Sequence, residues 1–242
     1  ENGELGVIFV NTFISALLFR LGNVKKNIGY NREGRGFLLD FSPEINYHKH
    51  YINRYAFLFN EYIGNKYVYL PELSLRHTGQ KTFQFDNSHK TIALYLGGEN
   101  KEFRKYPDEY AVQLLRLLNR QGYNLLLIGD ENDNIKHTQY AEEARIDHLI
   151  NLTARTTIEG FINTIANVDL IITIDSSALH IAAAVKTPFI ALMGLSTSPT
   201  STILPKVPLG RILKIENNLI REEDYIRNIT PDLILKTISE LI

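Results

Sequence analysis

The sequence predicts an α/β protein built on parallel β-sheet with helices on both faces. Three observations carry this. Apolar runs of strand length recur at residues 92–96, 125–128, 170–174 and 189–193, interrupted only by Thr173. Segments with helical spacing of apolar residues separate them. Each run ends in glycine or a polar residue: Gly97-Gly98, Gly129-Asp130, Asp175 and Gly194. A half-solvated antiparallel strand would alternate apolar and polar positions, and these runs do not. Parallel sheets bind ligands at the carboxyl ends of their strands, so those ends hold the informative residues.

The chain has 242 residues, enough for one large domain or two modest ones. With 26 basic and 27 acidic side chains, it lacks the basic excess that backbone binding to nucleic acid requires, so no nucleic-acid partner is expected. It contains no cysteine, which excludes disulfides, thiolate metal sites and thiol nucleophiles. No apolar run approaches the roughly 18 residues that span a bilayer, and no signal-peptide pattern opens the chain. A soluble, cytoplasmic protein is expected. Glu1 is not an initiator methionine, and the single Met is Met193. Either a leader has been processed or the chain is a fragment of a longer protein.

Taken in order, 7–10 is a short strand and 13–21 a helix stopped by Gly22. Residues 27–30 form another strand. Tyr51, Tyr55, Leu58, Phe59 and Tyr62 give 47–62 the spacing of a helix with an aromatic face. Residues 64–89, with Pro71 and Gly79, read as irregular structure ending in a linker. After strand 92–96, Pro107 opens a helix at its first turn, with Asp108 and Glu109 near its positive end. Its buried stripe is Tyr110, Ala111, Leu114, Leu115, Leu117 and Leu118, and Gly122 closes it. Strand 125–128, a polar helix 134–145 and a short strand 148–150 follow. Thr157 caps a helix carrying Ile158, Phe161, Ile162 and Ile165. Strand 170–174, a small-residue helix 178–185 and strand 189–193 complete the alternation.

The densest candidate site is Asp175-Ser176-Ser177-Ala178-Leu179-His180. A strand delivers Asp175 to the sheet edge and a helix starts at once, presenting unpaired N–H groups with partial positive charge. Ser176 and Ser177 add hydroxyls without bulk, and His180 lies one turn on. Two readings stand: an anion receptor, most simply for phosphate, or a plain helix cap beside a satisfied histidine. The cations Lys101, Arg104 and Lys105 before Pro107 would strengthen a phosphate site, or form a solvated loop. The acids of Gly129-Asp130-Glu131-Asn132-Asp133 could accept from ribose hydroxyls, or form a turn with helix-capping acids. Residues 194–201, small and hydroxyl-rich, either touch a ligand or form a mobile loop.

Several alternatives fail. There is no G-x-G-x-x-G and no Walker loop. Ser177 and His180 share a helix without the G-x-S-x-G elbow that presents a serine nucleophile. His48 and His50 flank Lys49 without a further ligand at metal spacing, so they read as surface residues. No metal site and no cofactor are expected.

The run from Asp175 to Ala184, followed by Pro188 and Met193-Gly194, resembles the signature of family 9 glycosyltransferases, the ADP-heptose:lipopolysaccharide heptosyltransferases and their relatives. Arg104-Lys105-Tyr106-Pro107 resembles the family's Lys/Arg-Trp-Pro segment. Ser15-Ala16-Leu17-Leu18 and Asn27-Ile28-Gly29-Tyr30 resemble the second half of its first domain. The resemblance implies a GT-B-like fold with two Rossmann-like domains. These are an incomplete N-terminal, acceptor-side domain with linker at 1–88 and a nucleotide-sugar domain at 89–228. A C-terminal helix at 229–242 would pack back on the first domain. It implies inverting transfer of a heptose-like sugar from a nucleotide donor, with an ADP-sugar favoured, to lipopolysaccharide core or another glycan. Peripheral contact with the bacterial inner membrane would accompany a glycolipid acceptor. It assigns donor binding to Arg104, Glu131, Asp175, Ser176, Ser177 and His180. Ser177 stands for the usual Gly and Tyr106 for the usual Trp, departures that leave a donor other than ADP-heptose open. The family's catalytic base would lie upstream of Glu1, so the isolated chain is expected to be poorly active. The alternatives are a non-catalytic nucleotide-sugar binding module and a UDP-sugar-dependent GT-B enzyme.

Overall fold

The computed structural model describes residues 3–67, 73–86, 88–195, 200–205, 207–215 and 219–242. The chain divides into two compact units, Glu1–Glu72 with Ser198–Leu204, and Leu73–Thr197 with Pro205–Ile242.

The first unit carries strands β1 (Leu5–Ile8) and β2 (Lys26–Gly29), paired in parallel with Leu5 opposite Lys26. Between them runs α1 (Phe13–Leu21), opened by Thr12, whose Oγ1 accepts the Ser15 N–H. Ala16 is buried, whereas Ile14, Leu18 and Leu21 on the same helix are exposed. The fully buried Arg35 fixes the turn after β1. Its guanidinium donates to the carbonyls of Tyr30 (3.0 Å), Val10 and Thr12 (3.1 Å), to Ser15 Oγ (3.1 Å) and to Asn11 Oδ1 (3.0 Å). A buried charge is tolerable only when its donors are matched in this way.

Helix α2 (Tyr51–Tyr62) starts later than its aromatic spacing suggested, because His50 caps it. His50 Nδ1 accepts the Ile52 N–H at 3.3 Å and Nε2 lies 3.0 Å from the Leu204 carbonyl, so the proton on Nε2 satisfies both contacts. Its buried positions are Arg54, Leu58 and Asn60, and the guanidinium of Arg54 lies over the rings of Tyr47 and Tyr51.

The second unit is a six-stranded sheet, parallel throughout, in the order β5-β4-β3-β6-β7-β8. The strands are β3 (Thr91–Tyr95), β4 (Asn124–Leu127), β5 (Leu149–Asn151), β6 (Leu170–Ile174), β7 (Phe189–Leu192) and β8 (Gly210–Leu213). The intervening helices are α3 (Asp108–Arg120), α4 (Asn134–Ala144), α5 (Ile158–Ala166) and α6 (Ser177–Val185), and α7 (Pro231–Ile238) closes the chain. Helix α3 packs with α4 and α7, and α5 packs with α6, which separates the helices into two layers.

Every residue of β3, β4, β6 and β7 is buried, as continuous apolar runs covered on both sides require. Pro107 is the cap of α3 rather than its first helical residue. The buried stripe of α3 takes in Val112 and leaves Tyr110 and Leu117 half-buried. Helix α7 lies against α3 within the second unit.

Strand β8 was not expected from the sequence. A Cβ on Gly210 would overlap the Phe189 ring at 2.1 Å, so glycine at this position lets β8 close against β7. Numbered from β3, the order is 3-2-1-4-5-6, the doubly wound arrangement whose direction reverses between β3 and β6.

Candidate functional site

The reversal leaves a crevice at the carboxyl ends of β3 and β6, and two loops shape it. After β3, Gly97 takes a φ of +82°, and a Cβ there would come within 2.7 Å of Ile174 Cδ1 at the end of β6. A Cβ on Gly98 would come within 2.4 Å of the Asn132 carbonyl in the turn after β4. The turn after β4 is itself a capping box. Asp130 Oδ1 accepts the Asn132 N–H at 2.8 Å, and the buried Asp133 accepts the Asp130 N–H at 3.0 Å.

A cavity of about 360 Å³ opens at this edge. Tyr95, Phe161, Ile158 and Ile181 form its apolar walls, with the rings of Tyr95 and Phe161 edge to face at 6.4 Å. Gly129, Asp130, Thr156, Thr157 and Ser177 supply its polar rim. Burial raises the Tyr95 phenol above its ordinary pKa, helped by Asp133 and Asp130, so it stays protonated and can donate to Asp130 Oδ2 at 3.4 Å. Burial alone would raise the Asp130 carboxyl, but the Lys101 ammonium at 3.1 Å and the Asn132 N–H bring it below the ordinary carboxylate range. The cavity is of small-molecule size and offers flat apolar surface next to polar groups.

The phosphate-type signal sits beside it. Ser176 caps α6, and its Oγ accepts the Ala178 N–H at 3.2 Å. Thr173 Oγ1 gives its proton to the Ile174 carbonyl at 2.9 Å and therefore accepts from Ser176 Oγ at 3.0 Å. The Ser176 hydroxyl is thus committed within the fold. Ser177, the first helical residue, is exposed and lines the cavity at the positive end of α6. Asp175 and His180 are half-buried on either side of that helix start.

Of the three cations after β3, Lys101 pairs with Asp130 and Lys105 with Asp108 at 2.8 Å. Arg104, half-buried at the end of the 3₁₀ turn Glu99–Arg104, carries no ion pair among the described residues. In the turn after β4 the acid on the cavity is Asp130, while Glu131 next to it is exposed. The hydroxyl-rich stretch at 194–201 falls largely outside the described residues, which resume at the helical turn Thr200–Ile203.

The family profile of glycosyltransferase family 9 (heptosyltransferase) matches residues 4–223. The chain belongs to glycosyltransferase family 9. Lipooligosaccharide heptosyltransferase 2 of Haemophilus influenzae is 26% identical over 268 aligned residues, covering 100% of this chain and 77% of that protein. Among solved structures, the Escherichia coli ADP-heptose LPS heptosyltransferase II superposes with a TM-score of 0.81 at 22% identity. That match covers 98% of this chain and 76% of that one. A family 9 glycosyltransferase from Veillonella parvula gives 0.84 at 15% identity, over 100% and 74% of the two chains. At these identities the superpositions establish a shared GT-B-like α/β fold.

The fold also places the two departures from the family signature. Tyr106 of this glycosyltransferase is fully buried and donates from its hydroxyl to the Ile229 carbonyl at 2.8 Å, with its ring 6.0 Å from that of Tyr110. It packs the loop and is not among the described residues lining the cavity. Ser177 does line the cavity. Sequence reasoning missed Tyr95, Phe161 and Ile181, which read as core. Ile158, which also lines the cavity, begins α5 at 81% exposure.

Proposed function

We propose that this glycosyltransferase transfers a heptose-type sugar, with inversion, from an ADP-heptose-type donor to lipopolysaccharide core or a related glycan, and that the second unit binds the donor. The carrying observation is the 360 Å³ cavity, apolar-walled by Tyr95 and Phe161, opening beside the positive end of α6 at Ser177. The relatives named as heptosyltransferases support the sugar and acceptor classes. Inverting transfer needs a base for the acceptor hydroxyl and positive groups for the leaving diphosphate. The Ser177 end of α6, His180 and Arg104 are suited to the second task, with Asp175 orienting the sugar. Glu131 is not among the described residues lining the cavity, which takes its one acid from Asp130.

Titration with ADP and UDP, read by thermal shift, tests the donor assignment. A ligand at 100 times its dissociation constant adds about 2.7 kcal/mol to stability. ADP is expected to give the larger shift, and Asp175→Ala and His180→Ala each to abolish most of it. A preference for UDP, or unchanged shifts in both variants, overturns the reading. Mass-spectrometric detection of heptose transfer from ADP-heptose to a core oligosaccharide tests the reaction.

A further inference from the structure

An anionic donor in this cavity meets a carboxylate. Asp130 is the one acid among the described residues lining it, and no described cation lines it. The charge is answered from outside the lining. Lys101, on the 3₁₀ turn after β3, brings Nζ to 3.1 Å from Asp130 Oδ2 and lies 5.7 Å from the centroid of the Tyr95 ring. Its side chain is 19% exposed and that of Asp130 is 47% exposed, so the ammonium sits on the protein side of the pair. The Lys101 stem runs close over Gly97, where a Cβ would come within 3.1 Å of Lys101 Cγ. Asp130 Oδ2 also lies within reach of the Tyr95 hydroxyl at 3.4 Å, and Oδ1 is taken by the Asn132 N–H. Lys101, Asp130 and Tyr95 therefore form one unit at the cavity rim.

We infer that Lys101 is a positioning residue for donor binding: by neutralising Asp130 and holding it against Tyr95, it makes the cavity accept a nucleoside diphosphate. This rests on the nucleotide-donor reading and adds to it the group that sets the charge of the site. Without Lys101, a bare carboxylate would face a multiply charged diphosphate at short range, where partial burial limits screening. The competing role for Asp130 is acceptor for a ribose diol, as acids at the ends of such strands can be. The two roles predict opposite effects when the carboxylate is removed.

The test is calorimetric titration of ADP into the 242-residue protein and four variants: Lys101→Met, Lys101→Arg, Asp130→Asn and the Lys101→Met/Asp130→Asn double variant. Lys101→Met is expected to weaken ADP about tenfold, equivalent to about 1.4 kcal/mol. That loss should shrink as salt is raised. Lys101→Arg should bind as the parent does, and Asp130→Asn at least as tightly. The double variant should return to within about threefold of the parent, a coupling that independent sites would not show.

Parent-like binding by Lys101→Met overturns the inference. An equal loss from Lys101→Met in both backgrounds also overturns it, because Lys101 would then touch the phosphates itself. Weakened binding by Asp130→Asn assigns Asp130 to the ribose and overturns it as well. If the parent binds ADP and the coupling fails, the donor reading survives. If the parent does not bind ADP, both readings fall. Melting temperatures are expected to stay close across the set, because the pair is partly solvated.

Discussion

His137 offers the most direct quantitative test of the second unit. It is fully buried on α4, with Nδ1 2.8 Å from Thr153 Oγ1 and Nε2 without a partner among the described residues. Burial disfavours the imidazolium and lowers the ring to about 4 from an ordinary 6.5, against the opposing pull of Asp133 and Asp130. The sign follows from linkage. Between these values the unfolded chain takes up a proton that the folded protein refuses, so stability is complete above about pH 6.5 and declines as pH falls towards 4. The full difference is worth about 3 kcal/mol, with a steepest slope of about 1.4 kcal/mol per pH unit. Urea denaturation of the protein and of His137→Gln, at intervals from pH 7.5 to 4.5, isolates this contribution, because the other histidines are common to both. The variant should start less stable, having lost the ring packed on Tyr140, and should decline less steeply with acid. Parallel pH profiles for the two proteins would refute the reasoning.

Three further outcomes are expected. Tyr106→Phe strands the buried Ile229 carbonyl and should cost about 1–2 kcal/mol by chemical denaturation. Gly97→Ala forces a side chain into a φ of +82° and against Ile174, and should cost about 1–3 kcal/mol and weaken ADP by displacing the loop. Arg35→Leu leaves the Tyr30 carbonyl without its donor and takes from the Val10 and Thr12 carbonyls the donor they share with the Ser15 hydroxyl. It should destabilise the first unit by about 3 kcal/mol or more, seen as lost hydrogen-exchange protection in β1 and α1.

Most of the sheet was legible in the sequence because its strands are buried on both faces and therefore nearly uninterrupted. β3, β4, β6 and β7 lie within a residue or two of the apolar runs that announce them. β8 was not, because Gly210 and Arg211 leave this edge strand without an apolar run. The allowance Gly210 makes for Phe189 is a tertiary fact that no local pattern records. At the candidate site, Ser177 could be placed because strand, cap and helix follow one another in the chain. The aromatic wall could not, since Tyr95 and Phe161 come from different elements and look like ordinary core. Asp130 and Glu131 are equally acidic in sequence and both exposed, and only the folded structure shows that Asp130 is the one lining the cavity. His50 illustrates the reverse case: it reads as a surface residue, yet it is half-buried, caps α2 and meets the Leu204 carbonyl.

The bond from Tyr106 to Ile229 spans 123 residues of chain and ties the segment ahead of α7 to the loop that carries Arg104. Shortening the protein at its far end, or fusing a bulky tag there, would therefore loosen a support of the loop from beneath. Engineering at that terminus should be judged by nucleotide affinity as well as by yield.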